Sequence, residues 1–245
     1  MSPIIIVPFH QDEQLPVASI PVPGSGHRIV LPDLPEADIW GRLVALYQEV
    51  AEAVAGAEGT PVVVSGDCAV AVGTLTGLQR RGVRPSIVWF DAHGDVHTVE
   101  SSTSGYIGGM SLRLAMGAHT DRMAGPLGLE PVTEDRVVLV DARDLDPGER
   151  EYLSTARVRH CPVGDIRLPD GPLLVHVDVD VIDPEDVPGL RYPVPDGRSR
   201  AAVVDAIRGI AATGRIAALN VACPWYAGEY PQRAQLLATL ADAVG

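Results

Sequence analysis

Aromatic residues are scarce in this sequence: 4% of its 245 positions are Phe, Trp or Tyr, although 46% are apolar. The apolar content is therefore carried by Val, Leu, Ile and Ala, a mixture that suits parallel strands buried on both faces. Cysteine is also sparse, with three residues, Cys68, Cys161 and Cys223. So small and odd a number in a chain of this length fits a reducing compartment better than a disulfide framework. No stretch approaches the ~20 consecutive apolar residues that span a bilayer. The apolar run Ile4–Val7 is too short for the core of a secretory signal and lacks a basic lead-in. The expectation is a soluble, cytoplasmic protein without a membrane partner. Basic residues are outnumbered, 19 against 32 acidic, which leaves a formal charge of −13. That sign argues against nucleic acid and anionic membranes as partners, since both are polyanions.

What is present is an alternation. Short apolar runs of strand length, rich in β-branched residues, recur at Ile4–Val7, Val62–Val64, Ile87–Phe90, Val137–Val140, Leu173–Val177 and Ile216–Val221. Between and after them, helical spacing covers Trp40–Ala55, Val70–Arg80, Ser111–Met116, Gly148–Ser154, Arg200–Ala212 and Gln232–Ala243. Strands alternating with helices predict an α/β fold with a mostly parallel sheet covered on both faces. With no internal repeat or low-complexity linker, residues 1–245 are expected to form a single domain. The proline-rich segment Leu15–Pro35 and the loop Asp183–Ser199 read as surface connections.

Three segments carry chemistry, each where a predicted strand ends: Val64-Ser65-Gly66-Asp67-Cys68, Phe90-Asp91-Ala92-His93-Gly94-Asp95, and Val177-Asp178-Val179-Asp180. Open α/β sheets bind their ligands at the carboxyl ends of strands. Asp91, His93 and Asp95 alternate, as do Asp178 and Asp180, so in extended chain each set points one way. Four carboxylates brought together repel one another unless cations neutralise them. An oxygen-rich donor set with imidazole favours Mn²⁺, and a bridging carboxylate permits two ions. A lone Asp of this kind is more often a helix cap than a ligand. Five donors in two alternating sets are poorly accounted for by capping.

Asp91-Ala92-His93-Gly94-Asp95 and His176-Val177-Asp178-Val179-Asp180-Val181-Ile182-Asp183-Pro184 resemble the signature motifs of the ureohydrolases, the arginase and agmatinase family. Arg143-Asp144-Leu145-Asp146-Pro147-Gly148-Glu149 resembles a third family segment, and the resemblance runs in order over roughly residues 60 to 225. It implies a three-layer αβα fold, two Mn²⁺ ions sharing a hydroxide, and a small guanidino substrate. By resemblance, Cys68, Asp91, Asp95 and Asp178 hold the first ion. Asp91, His93, Asp178 and Asp180 hold the second, and Asp95 also carries the proton. Asp146 and Ser104 stand where family members grip the α-amino and α-carboxylate groups. Asp146 and Glu149 have an equal alternative as caps of the helix near Pro147. His97, two residues past Asp95, is a further candidate for substrate contact. Trimers or hexamers are the family's usual assemblies.

The sequence also departs from that pattern. Cys68 stands where most of the family has histidine, as in a branch that hydrolyses Nω-hydroxy-L-arginine to hydroxyurea and ornithine. Gly108 stands where a catalytic histidine is expected, and Cys223 where a glutamate grips the guanidinium. Glu229 is a neighbouring acid that could take over this last role. Losing shuttle and clamp together points to a substrate less cationic than arginine. The best expectation is a dinuclear hydrolase of a guanidino or N-hydroxyguanidino amino acid. The alternatives are a non-catalytic relative that binds metal and ligand, and a metal-dependent amide hydrolase. His10, His27, His119 and His160 have no motif around them.

Overall fold

The computed structural model describes residues 2–22, 24–228 and 230–244. In chain order the strands are β1 (Ile4–Val7), β2 (Phe9–His10), β3 (Glu13–Gln14), β4 (Arg28–Ile29), β5 (Val62–Ser65), β6 (Ser86–Asp91), β7 (Val137–Asp141), β8 (Arg159–Cys161), β9 (Leu173–Asp178) and β10 (Ile216–Ala222). The α-helices are α1 (Ile39–Ala55), α2 (Val70–Arg80), α3 (Ser111–Ala115), α4 (Ala124–Leu127), α5 (Pro147–Leu153), α6 (Arg200–Ala211) and α7 (Pro231–Asp242). Every strand and helix expected from periodicity is present, with ends shifted by a residue or two. Their starts follow local chemistry: Asp38 caps α1 by accepting from Gly41 N at 2.9 Å, and Pro147 opens α5. Among the described residues, no helix is long and apolar enough to cross a membrane.

Eight strands form one parallel sheet in the order β4-β1-β5-β10-β9-β6-β7-β8. Strict alternation sends Ile87 and Trp89 of β6 to one face and Val88 and Phe90 to the other. The first face packs against α1 to α5, the second against α6 and α7, which gives the expected three layers. β5 and β6 are consecutive among the sheet's strands, yet β10 and β9 lie between them. The loops leaving β5, β9 and β6 therefore open around a crevice at the carboxyl edge of the sheet.

On the first face, α2 packs so tightly on α1 that a Cβ at Gly77 would sit 2.6 Å from Val54 Cβ and 2.7 Å from the Ala51 carbonyl oxygen. Gly77→Ala is expected to cost about 1–3 kcal/mol by overpacking. Better helix propensity works the other way by about 1 kcal/mol. Urea unfolding measures the balance, and a net stabilisation would show that α1 can move aside.

The two segments expected to be mere surface connections are more than that. Arg28–Ile29 forms an edge strand on β1, and Ile20 and Val30 are buried. In the loop 183–199, Val187, Leu190 and Val194 are buried against the second face. Proline content and polarity hid these contacts, because an edge strand needs only one row of backbone partners.

Candidate metal centre

Asp91 and Asp178 are the last residues of β6 and β9, and Cys68 lies in the turn between β5 and α2. Asp180 follows in a single 3-10 turn, Val179–Val181, while His93 and Asp95 sit in the loop after β6. All six line one cavity of about 400 Å³. Asp91 Oδ1 accepts from His93 N at 2.8 Å and Oδ2 from Trp89 Nε1 at 3.1 Å. Asp178 Oδ1 accepts from Asp180 N at 2.8 Å, and its Oδ2 lies 2.8 Å from Cys68 Sγ, which donates. Asp180 Oδ1 accepts from Ala92 N at 3.1 Å, and its Oδ2 faces His93 Nδ1 at 3.1 Å. Arg143 secures this last turn by donating to the carbonyls of Asp180, Val181, Val194 and Pro195 at 2.8–3.2 Å.

Asp95 is unusual twice over. Its backbone is left-handed, with φ +53°, and its carbonyl accepts from Leu112 N and Arg113 N at the start of α3. Its Oδ2 is buried and has no hydrogen-bond partner. A strained backbone and an unsatisfied carboxylate oxygen in one cavity-lining residue are features of a site, since packing alone favours neither.

The electrostatics agree. Burial, then the neighbouring Asp180, raises Asp91 from 3.8 to about 6. Burial and adjacent carboxylates push Asp95 and Asp178 well above the ordinary range, and likewise the Cys68 thiol. At His93 burial works downward, but hydrogen bonds to Asp180 and Asp91 overcome it and raise the imidazole to about 12. One imidazolium cannot neutralise so many carboxylates, so the cluster as it stands is short of positive charge.

Two groups of donor atoms are close enough to share an ion, each within 4.8 Å of one another: Cys68, Asp91 and His176, and Asp91, His93 and Asp180. They have Asp91 in common. The orphaned Asp95 Oδ2 and this donor chemistry fit divalent cations, with His93 neutral once a cation replaces its proton.

The remaining candidates are placed as follows. His97 is buried at the cavity wall, its Nε2 3.1 Å from Asp146 Oδ2 and its Nδ1 3.0 Å from Ser101 Oγ. Ser104 lines the mouth and accepts from Tyr106 N at 3.2 Å. Asp146 and Glu149 line the cavity and also form the capping box of α5, with Glu149 Oε2 accepting from Asp146 N at 3.0 Å. Cys223 is not among the lining residues; it is buried in the apolar cluster on the opposite sheet face, and its neighbour Pro224 lines the cavity instead. Glu229 lies outside the described residues.

Sequence reasoning missed Tyr106, Tyr192, Asp144 and His10. At Gly108 a Cβ would lie 2.2 Å from Tyr106 Cζ, so the phenol occupies the space that a side chain at 108 would need. Tyr106 Oη donates to the buried Asp67 Oδ2 at 2.8 Å, and His10 Nδ1 approaches the same oxygen at 3.5 Å. Residue type alone could not signal this, since the three groups come from segments far apart in the chain. Tyr106→Phe removes a donor from a buried carboxylate and is expected to cost about 1–3 kcal/mol. An unchanged urea midpoint would show that water takes the phenol's place.

The arginase family model matches residues 26–224. The Nω-hydroxy-L-arginine amidinohydrolase of Streptomyces lavendulae is 35% identical over 162 residues, 63% of this chain and 57% of that protein. The arginase of Bacillus subtilis strain 168 is 34% identical over 155 residues, 57% of this chain and 52% of that protein. The matches thus span little more than half the length of these curated relatives. The crystal structure of arginase from Bacillus subtilis subsp. subtilis str. 168 superposes with a TM-score of 0.82 at 23% identity, covering 99% of this chain and 97% of that one.

Proposed function

The chain belongs to the arginase family, and from that premise we propose that it is a dinuclear-metal hydrolase of a guanidino or N-hydroxyguanidino amino acid. The observation that carries this reading is the pair of donor groups sharing Asp91 beneath a cavity into which an unpartnered Asp95 oxygen is buried. When bound, two divalent ions, Mn²⁺ foremost, supply a water acidified to a pKa of about 7 and the charge that four buried carboxylates require. Cys68, Asp91, Asp95 and Asp178 are proposed to hold one ion, and Asp91, His93, Asp178 and Asp180 the other.

Asp95 Oδ2 is placed to take the proton of the attacking water and pass it to the leaving nitrogen. Water adds to the guanidine carbon, the bond from that carbon to the chain nitrogen breaks, and the amine leaves with the proton. The left-handed backbone of Asp95, tied to α3, keeps the carboxylate in place through both transfers. Asp146, held by His97, would orient the amino-acid end of the substrate together with Ser104.

The substrate we favour is Nω-hydroxy-L-arginine, giving hydroxyurea and ornithine. Two features support the choice over arginine. A relative 35% identical is an Nω-hydroxy-L-arginine amidinohydrolase, and Tyr106 fills the room for a side chain at Gly108. An electron-withdrawing hydroxyl lowers the basicity of the guanidine, so a buried counter-charge is less necessary. Side-by-side assay of arginine, Nω-hydroxyarginine, agmatine and guanidinobutyrate with Mn²⁺ is expected to show hydroxyarginine turned over fastest. Faster hydrolysis of arginine would overturn the assignment.

A further inference from the structure

Beneath the carboxylates lies a polar row that this chemistry leaves unused. Asn220, His176 and Trp89 stand in register on the adjacent strands β10, β9 and β6. His176 is 0% exposed and stacks on Trp89, with ring centroids 3.6 Å apart. Its Nδ1 lies 3.0 Å from the Asn220 amide nitrogen, and Asn220 Oδ1 is 2.8 Å from Thr74 Oγ1 on α2. Its Nε2 has no partner. A buried polar atom without one costs about 1–3 kcal/mol. Through one ring nitrogen His176 nevertheless belongs to the group whose donor atoms, with those of Cys68 and Asp91, all lie within 4.8 Å of one another. Since Nδ1 is engaged by Asn220, Nε2 is the nitrogen free to serve.

We propose that His176 Nε2 is a ligand of the ion held at Cys68 and Asp91, a third donor supplied by the strand itself from below the loops. The proposal rests on the dinuclear reading above. Strand periodicity provides the reach, because His176 is two residues before Asp178 and on the same sheet face.

The hydrogen-bond chain behind the ring can prepare it for this role. To ligate through Nε2, a neutral imidazole carries its proton on Nδ1. The two ends of the Asn220 amide are interchangeable in shape. With Oδ1 turned toward His176, Nδ1–H donates to Asn220, the Asn220 amide nitrogen donates to Thr74 Oγ1, and the Thr74 hydroxyl donates to Val70 O, 3.4 Å away. The Nδ1–H, the amide oxygen and the Thr74 hydroxyl then each have a partner, and the Nε2 lone pair is left free for a cation. The opposite amide orientation buries an Nε2–H with no acceptor. Partners behind a ligating histidine set its tautomer in this way.

The test uses the full chain labelled with [¹⁵N]histidine, stripped of metal and titrated with Zn²⁺, which is diamagnetic. Long-range ¹H–¹⁵N spectra of the protein and of His176→Gln identify the His176 signals among seven histidines. On saturation, His93 and His176 are both expected to move to the metal-bound range, with His176 in its Nδ1–H form. Zn²⁺ binding that shifts His93 and leaves His176 unmoved overturns this inference alone. Absence of Zn²⁺ binding overturns the dinuclear reading and this one with it. In parallel, His176→Gln is expected to weaken one of two ions at least tenfold and spare the other; equal affinities to the parent protein overturn the proposal. Asn220→Ala, which keeps the histidine but loses its orienting partner, is expected to weaken the same ion by about 10–100-fold.

Discussion

Asp91→Asn is expected to remove both ions, to lower turnover by about 10³-fold or more, equivalent to about 4 kcal/mol of transition-state stabilisation, and yet to stabilise the metal-free protein. The opposite signs come from one position. Asp91 is the residue common to both donor groups, so losing its charge weakens both at once. The same carboxylate is buried beside Asp180, and burial and repulsion raise its pKa to about 6. An amide of the same shape escapes that penalty and can still accept from Trp89 Nε1 or His93 N. Metal analysis, steady-state turnover and urea unfolding after chelation read the three effects separately. A variant that lost stability without metal would mark Asp91 as a structural residue and sink the assignment.

Chelation is expected to reverse the pH dependence of stability. In the metal-free protein, Asp91 holds its proton more tightly folded than unfolded, since its pKa rises from 3.8 to about 6. The folded state therefore binds more protons over that interval, and stability falls as pH rises from about 4 to 7. Asp91 alone contributes on the order of 3 kcal/mol to the fall, and Asp95 and Asp178 shift in the same direction. His93, raised from 6.5 to about 12 by Asp180 and Asp91, adds stability below 6.5 that is lost as pH climbs toward 12. Both groups thus favour the acid side. Bound cations need the carboxylates ionised and the imidazole neutral, so the loaded protein gains stability as pH rises through about 6. At a hundredfold excess over the dissociation constant, a single ion adds about 2.7 kcal/mol. Unfolding midpoints with EDTA and with Mn²⁺ should therefore lie close together at pH 5 and far apart at pH 7.5. Parallel curves would mean that no cation binds among these residues.

Much of this architecture was legible along the chain because its causes are local. Runs such as Ile87–Phe90 bury both faces of a strand, and Gly, Pro and Asp at their ends stop them. The six principal strands and six of the seven α-helices followed from that pattern. Of the four strands missed, Arg28–Ile29 and Arg159–Cys161 are the large sheet's two edges, mostly exposed and free of apolar alternation, and Phe9–His10 and Glu13–Gln14 are the two-residue strands of a separate small sheet. The carboxylates and His93 were legible because they alternate directly after strands. His176 was visible only as part of a motif. Its relation to Cys68 and Asn220 joins residues over a hundred and over forty positions away, and no spacing rule reaches that far.

The sequence by itself determined the α/β class, the strands that end in acid, and the residue types offered to a cation, since each depends on neighbours two to four positions off. Tertiary structure alone decided the strand order that sets β10 and β9 between β5 and β6, and with it which carboxylates share a wall. It likewise decided that Tyr106 fills the room at Gly108, that Cys223 packs into the core, and that an imidazole lies beneath Cys68 and Asp91. The physical reason is the same in each case. Apolar burial is specified residue by residue, whereas a site is a set of distances, and those exist only once the sheet has closed.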